Sequence, residues 1–391
     1  MQNFLWAFAA VAALLLAGVF VFGPPQVERG MNRVARHKPW PVSDKARALH
    51  SRLTIGDWHG DSLLWDRDLR QRSSRGHMDL PRMRDGNVAL QVFATVTKSP
   101  AGLNVSRNDA AARDNITLLS IAQLRPTRSW FDLTERALAQ AAALRRTAEA
   151  SPDQVMQILT RGDLDDLLGR RAAGASVIGA ILGAEGGHAL SGDLANLDRL
   201  HGAGFRLLGL THFFDNELGA SLHGTAGADA GLTKFGRDTI ARMDDLGMII
   251  DLAHASPRMA REVLTITDAP VVVSHTGIRS LCDTVRNFPD DLMQAVAAKG
   301  GLIGIGYWSE VTCDPSPAGV AASIRAAIDL VGEDHVALGS DFDGAVETPF
   351  DVSELPALTH ALMEADLSET TIAKVMGGNM VRFLRDALPE R

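Results

Sequence analysis

The chain has 391 residues, with 39 basic and 47 acidic side chains and a formal charge of −8. Apolar residues make up 46% and charged residues 22%, which excludes a wholly disordered chain and allows a large core. The acidic balance argues against sequence-independent nucleic-acid binding, and two cysteines exclude a disulfide scaffold or a four-cysteine zinc module.

The run from Phe4 to Phe22 carries no charge and no proline. As a helix at ~1.5 Å per residue it would reach roughly 28 Å, near the ~30 Å hydrocarbon thickness of a bilayer. Gly23-Pro24-Pro25 is expected to end it. Residues 1–23 therefore read as a membrane anchor or a signal segment. The anchor is favoured, because Met1-Gln2-Asn3 has no basic side chain and no small-residue cleavage pattern precedes Gly23. Arg29, Arg33, Arg36 and Lys38 follow the span, which by the positive-inside rule favours a cytoplasmic body. Residues 24–50 are expected to form a linker plus a short helix from Ser43 to His50.

Residues 51–391 repeat one rhythm: a short apolar run, a loop, then an amphipathic helix. The runs expected as strands are Leu53–Trp58, Val88–Val96, Ser176–Ala184, Phe205–Thr211, Met248–Ala253, Pro270–Ser274, Leu302–Tyr307 and Val336–Ser340. Most are apolar at successive positions, as strands buried on both faces are. Helices are expected between them, with two over Asp109–Ala150, one over Pro152–Leu168 and a long helical tail from Ser353 to Leu388. Length alone suggests two or three domains at ~150 residues each, but α/β barrels exceed that as one domain. Eight strands alternating with helices predict a single (β/α)8 TIM barrel of the metal-dependent hydrolase type, followed by C-terminal helices. A doubly wound sheet binding a dinucleotide would need a glycine-rich turn after the first strand. That turn is Asp57-Trp58-His59-Gly60-Asp61.

In a barrel, chemistry collects at the C-terminal ends of the strands. Six of the eight runs end in His, Asp or Glu: His59 and Asp61, Glu185, His212, Asp251 and His254, His275, and Asp341 with Asp343. A His-x-Asp pair on an extended strand end puts both side chains on one face. Imidazole with carboxylate suits zinc and similar divalent ions. Glu185 can bridge two ions, with His254 and His275 completing the second. Two such ions a few Å apart would share a bridging hydroxide. A single His after a strand is weak evidence, and His77-Met78-Asp79 repeats the His-x-Asp spacing in a polar loop that ends no strand. The ordered set at six strand ends is the stronger signal. His188 and His223 lie on loops of the same side, without an assigned role.

These pieces resemble the membrane dipeptidase (renal dipeptidase) family of zinc metallopeptidases. The resemblance covers about residues 50–385. It rests on His59-Gly60-Asp61, Asp79-Leu80-Pro81-Arg82-Met83, Glu185-Gly186-Gly187-His188, Leu210-Thr211-His212, Asp251-Leu252-Ala253-His254, Ser274-His275, Arg286-Asn287-Phe288-Pro289, Asp341-Phe342-Asp343-Gly344 and Gly377-Gly378-Asn379. It implies a barrel holding two Zn²⁺ per chain that hydrolyses dipeptides, including those with a C-terminal D-residue. Carried over by position, His59 and Asp61 hold one zinc, His254 and His275 the other, and Glu185 bridges them. His212 is expected on the substrate carbonyl, Arg286 on the substrate carboxylate, and Asp341 as proton shuttle. A fork of guanidinium donors suits a carboxylate.

This sequence departs from the family where Gly60 replaces a common Asn, in a longer charged segment from Asp61 to His77, and in the loop over 212–232. A binuclear hydrolase acting on a carboxylate-bearing lactone, β-lactam or N-acyl amino acid is the alternative function. Secreted relatives have a disulfide near Cys282 and Cys313, so the resemblance implies a bridge there, with two free buried thiols as the alternative. A bridge needs an oxidising compartment. It opposes the positive-inside count and favours a membrane-associated body facing the exported side. A homodimer follows from family analogy alone.

Overall fold

Eight parallel strands close on themselves: β1 Ile55–Asp57, β2 Val88–Val96, β3 Ile178–Glu185, β4 Phe205–Gly209, β5 Ile249–Asp251, β6 Val272–Thr276, β7 Leu302–Ile305 and β8 Val336–Leu338. Each pairs with the next, and Leu338 of β8 pairs back with Asp57 of β1. The fold is a (β/α)8 barrel, and every expected strand run overlaps one of its strands, with β3 and β6 running past the expected ends to Glu185 and Thr276. The computed structural model describes residues 2–390, and the side chains of residues 2, 7–17 and 19 lie outside the described set.

Every residue of the eight strands is buried. That is why the runs read as continuous rather than alternating hydrophobicity: one face fills the barrel and the other meets the helices. Helices begin on side-chain caps. Ser256 accepts from the Met259 amide and starts the helix Pro257–Ile266, whose Met259, Ala260, Val263 and Leu264 are buried. Each large apolar side chain so buried contributes roughly 1.5–3 kcal/mol relative to exposure. The C-terminal tail breaks after Leu355–Glu364, and its second part joins Glu369–Ala373 to Asn379–Ala387 through a π-helical turn, Lys374–Gly378, kinked at Gly377. Asn379 Nδ2 ties it to the barrel by donating to Glu333 O and Val336 O at 2.7 and 2.8 Å. Gly377 sits against the backbone of Thr54, whose carbonyl oxygen would lie 2.1 Å from any Cβ placed there.

Two further expectations need correction. The stretch Pro152–Leu168 is not one helix: Val155–Gln157 pairs in parallel with Ile178–Ala180 at the outer start of β3. The helix begins only at Arg161, where Thr160 and Asp163 form a capping box. The N-terminal helix also passes its expected stop, running Gln2–Met31 through Pro24 and Pro25. Proline's fixed φ is compatible with a helix, and what it removes is a donor. Tertiary contacts hold the turns beyond it: Glu28 is buried and ion-paired with Arg67 at 3.0 Å and with Arg75. Among the described residues no helix is long and apolar enough to cross a membrane. The expected span Phe4–Phe22 falls mostly on side chains outside the described set.

Past this helix, Arg33–Val34 pairs in parallel with Glu347–Thr348, on the loop after β8. Cys282 and Cys313 are joined in a disulfide. Between them Asn287 Nδ2 donates to Cys282 O and Val311 O at 2.9 and 3.0 Å. The segment carrying Arg286 is thus held at both edges.

Candidate active site

The strand ends converge on one carboxylate. Glu185, the last residue of β3, places Oε1 3.4 Å from His59 Nε2, 3.1 Å from His254 Nε2 and 3.5 Å from His275 Nε2. Its Oε2 lies 3.4 Å from His212 Nε2. Asp61 Oδ1 is 3.5 Å and Asp341 Oδ1 3.9 Å from His59 Nε2. All seven side chains are buried. Three overlapping groups result, each with atoms within 4.8 Å: His59, Glu185 and His275; Glu185, His212 and His254; His59, Asp61 and Asp341.

The donor set fits divalent metal. Two atoms bound tetrahedrally at ~2.1 Å from one ion stand about 3.4 Å apart. His59 Nε2 and Asp61 Oδ1 are buried without a hydrogen-bond partner. His254 Nε2 and His275 Nε2 face each other at 2.9 Å, around a common point.

A second tier of side chains fixes the imidazoles, and sequence reasoning gave it no role. Ser274 Oγ donates to Asp251 Oδ2 at 2.6 Å, and the same oxygen lies 2.7 Å from His275 Nδ1. The hydroxyl has spent its proton on Asp251, so His275 Nδ1–H donates to it. The Nε2 lone pair is then left facing the cluster, which is how outer partners set a metal-binding tautomer. Asp57 accepts from the amides of His59 and Ser340 at 2.9 and 3.1 Å, joining the ends of β1 and β8. The signal available in sequence was an acid inside an otherwise apolar strand: Asp57 in β1 and Asp251 in β5. His254 and Asp341 adopt φ of 64° and 59°, a region costly for residues other than glycine.

Electrostatics divide the cluster. Burial alone would favour a neutral His59, but Asp61 and Glu185 outweigh it and raise its pKa well above the ordinary value. Burial and the Arg286 charge push His254 well below its usual range, and burial and His59 do the same to His275. Burial would raise Glu185, but His212 and His59 hold it well below the usual carboxylate range. Burial and Glu185 push Asp61 up to about 6. Asp341 is raised well above its ordinary value by burial, with Asp61 and Glu185 adding to it. Asp61 and Asp341 are thus each disfavoured as anions by burial and by their acidic neighbours, a strain that a bound cation would relieve.

The cluster floors a cavity of about 300 Å³ lined by His212, Phe213, Arg286, Trp308 and Asp341 among others. Arg286 is 2% exposed, lies 5.5 Å over the Trp308 ring and donates to His275 O at 2.7 Å. Burial lowers it to about 10, so it stays charged at neutral pH.

The sequence model of the membrane dipeptidase family (peptidase family M19) matches residues 43–389. This chain belongs to the membrane dipeptidase family. It is a metallopeptidase-type hydrolase on a TIM barrel. Dipeptidase aclJ of Aspergillus oryzae is 30% identical over 355 residues, covering 86% of this chain and 78% of that protein. The solved structure of dipeptidase AC, a metallopeptidase, is similar with a TM-score of 0.71 and 26% identity, over 86% of this chain and 98% of that one. A metallopeptidase of Rhodobacter sphaeroides, solved with a phosphinate mimic of the dipeptide L-Ala-D-Ala, is similar with a TM-score of 0.68 and 25% identity, over 86% of this chain and 99% of that one.

Within this family fold, local packing accounts for several residues around the site. A Cβ at Gly60 would lie 2.7 Å from the Met78 methyl, so Met78 fills the space a side chain there would take. The loop over 212–232 is organised by Asp215, which accepts from the amides of Ser221, Thr225 and Ala226 at 2.7 to 2.8 Å. His223 donates through Nδ1 to Val105 O at 2.6 Å and stacks on Phe213. His188 packs against Phe214. His77, expected in a polar loop, is fully buried, and its Nδ1 accepts from the Asp343 amide at 3.0 Å.

Proposed function

We propose that this chain is a zinc-dependent dipeptidase that accepts dipeptides with a C-terminal D-residue. The observation that carries the reading is the Glu185 carboxylate ringed by four imidazole nitrogens at 3.1–3.5 Å, beside the buried, charged Arg286. His59 and Asp61 would hold one zinc, His254 and His275 the other, with Glu185 between them. Zinc held there would supply a Lewis acid for the scissile carbonyl and would lower the pKa of a water. Arg286 receives the substrate carboxylate, its fork fitting both oxygens. Burial lowers the pKa of His212 against the pull of Glu185, so its ring is neutral and donates one hydrogen bond to the developing oxyanion. Asp341 takes the water proton and delivers it to the leaving amine.

Purified protein with about two zinc ions per chain is expected to cleave L-Ala-L-Ala and L-Ala-D-Ala, to lose activity with chelator and regain it with Zn²⁺. C-terminally amidated dipeptides are expected to react at least about 100-fold more slowly, because Arg286 would then be buried without its anion. Turnover that survives complete metal removal would overturn the reading, and equal rates on acid and amide would overturn the role of Arg286.

We also infer that the body lies on the exported side of a membrane to which residues 4–22 tether it. The uncharged Phe4–Phe22 run supports the tether, and the Cys282–Cys313 bridge supports an oxidising compartment. The chain is expected in the membrane pellet of its host, with both cysteines resistant to alkylation until reduced. A soluble chain with two reactive thiols would sink both parts.

A further inference from the structure

We propose that residues 28–34, where the N-terminal helix meets the barrel, are a working part of the active site: they position the loop that carries Asp341, and Met31 selects the substrate side chain. The proposal rests on the dipeptidase reading for its substrates, and on geometry alone for the positioning.

Asp341 begins the loop after β8, which returns through Asp343, Ala345 and Glu347. The N-terminal segment grips that loop at successive points. The Asn32 side-chain oxygen accepts from the Ala345 amide at 2.8 Å, and Asn32 is 2% exposed. Val34 pairs with Thr348, and the Ala35 amide donates to Thr348 O at 2.8 Å. His77 closes a third link. Its Nδ1 accepts from the Asp343 amide, so its Nε2 carries the proton and donates to Arg33 O at 3.2 Å.

A buried ionic relay adds the fourth. Glu28 pairs with Arg67, and Arg67 pairs with Asp343. Asp343 Oδ2 also accepts from Ser62 Oγ at 2.7 Å, and its Oδ1 accepts from the His77 amide at 2.6 Å. The side chains of Glu28, Arg67 and Asp343 are 2%, 3% and 0% exposed. Buried charges hold only in a fixed, fully paired geometry, so this relay fixes where the loop sits. The Arg33–Glu347 pair is 64% and 47% exposed and carries no weight in the argument. Asp341 and Asp343 both have positive φ, 59° and 66°, so the loop needs outside support to keep that shape.

The same segment reaches the substrate. Met31 lines the cavity floored by Glu185 and Asp341, together with the apolar Leu103, Val105, Ile116 and Val346. Its thioether is unbranched and adaptable, a surface that fits apolar side chains of varied shape. The inferred substrates are dipeptides with at least one apolar side chain, met at the mouth by Met31.

The test uses the full-length, zinc-loaded protein and three variants, Glu28→Gln, Asn32→Ala and Met31→Ala. In Glu28→Gln and Asn32→Ala, amide hydrogen exchange over residues 341–348 is expected to speed up about tenfold or more, with β3 and β4 unchanged. In both, kcat is expected to fall several-fold while zinc content stays at the parent value. Met31→Ala is expected to shift the ratio of kcat/KM between Leu-Leu and Ala-Ala by about tenfold, the scale of one or two lost methylene contacts. Unchanged exchange over 341–348 in both positioning variants would overturn the positioning claim. A Met31→Ala effect that scales every dipeptide equally would overturn the selectivity claim. A parent that hydrolyses no dipeptide would overturn the reading of the substrate and the selectivity with it, while the exchange measurement still decides the positioning.

Discussion

Glu185→Gln is expected to lower kcat/KM by at least about 10³-fold and to cut bound zinc below the parent content, since carboxylate ligands cannot be replaced by a neutral amide without loss of charge and of one acceptor. The substitution keeps the shape, so packing at the end of β3 is preserved. It places an NH₂ donor where one oxygen faced imidazole nitrogens at 3.1–3.5 Å. The charge change also acts on the metal-free fold. Glu185 adds to the negative charge that pushes Asp61 and Asp341 up. His212 and His59 nevertheless hold its carboxyl well below the usual range, so the ionised side chain stabilises the metal-free fold at neutral pH, and metal-free Glu185→Gln is expected to melt lower than metal-free parent. The parent should gain about 2.7 kcal/mol per site at a zinc concentration 100 times Kd, and the variant much less. Differential scanning calorimetry with and without zinc reads both effects. A variant that binds the parent amount of zinc and keeps a tenth of its activity would remove Glu185 from the centre of the site.

The barrel was legible because a strand buried on both faces has to be apolar at successive positions, and those runs stand out between helices. The strand-end side chains were legible for a related reason: His59, Glu185, His254 and His275 interrupt apolar runs at the point where a barrel keeps its chemistry. What could not be read depends on contacts between distant residues. Glu28 is an ordinary acid in a stretch of basic residues until Arg67 and Arg75 pair with it. Two prolines suggested a helix end, and only that tertiary pairing carries the helix to Met31. His77-x-Asp79 and His59-x-Asp61 have the same spacing and different fates. Asp79 caps the helix Leu80–Asp85 by accepting from the Arg82 amide, and His77 faces the Asp343 amide. The spacing alone does not separate the two pairs; the apolar run ahead of His59, which His77 lacks, does. Ser274 was visible beside His275, yet its effect on the imidazole tautomer follows only from Asp251 lying 2.6 Å away on the neighbouring strand.

Asp341→Asn is expected to lower kcat by about 10²–10⁴-fold, the usual contribution of a positioned general acid–base. Asparagine is the informative replacement here. Asp341 has φ 59°, and Asn tolerates that left-handed region better than Ala does, so the loop backbone is kept. Proton transfer is then what the variant loses. Burial, with Asp61 and Glu185 adding to it, raises the Asp341 carboxyl well above its ordinary value. A carboxyl so raised holds a proton more readily than an ordinary one, which suits a group that accepts a proton and returns it. As a base it works only when ionised, so parent kcat should fall as pH drops through this raised value. In Asp341→Asn that acid limb should vanish from the residual activity. A second role must be separated from the first, because Asp341 also stands with His59 and Asp61 in a group able to hold metal. Loss of a proton carrier leaves zinc content at the parent level, whereas loss of a ligand lowers it. Zinc content and the kcat–pH profile measured on the same variant therefore decide between them. Full zinc with an unchanged acid limb would exclude Asp341 as the proton carrier, and half the zinc with a collapsed kcat would make it a ligand instead.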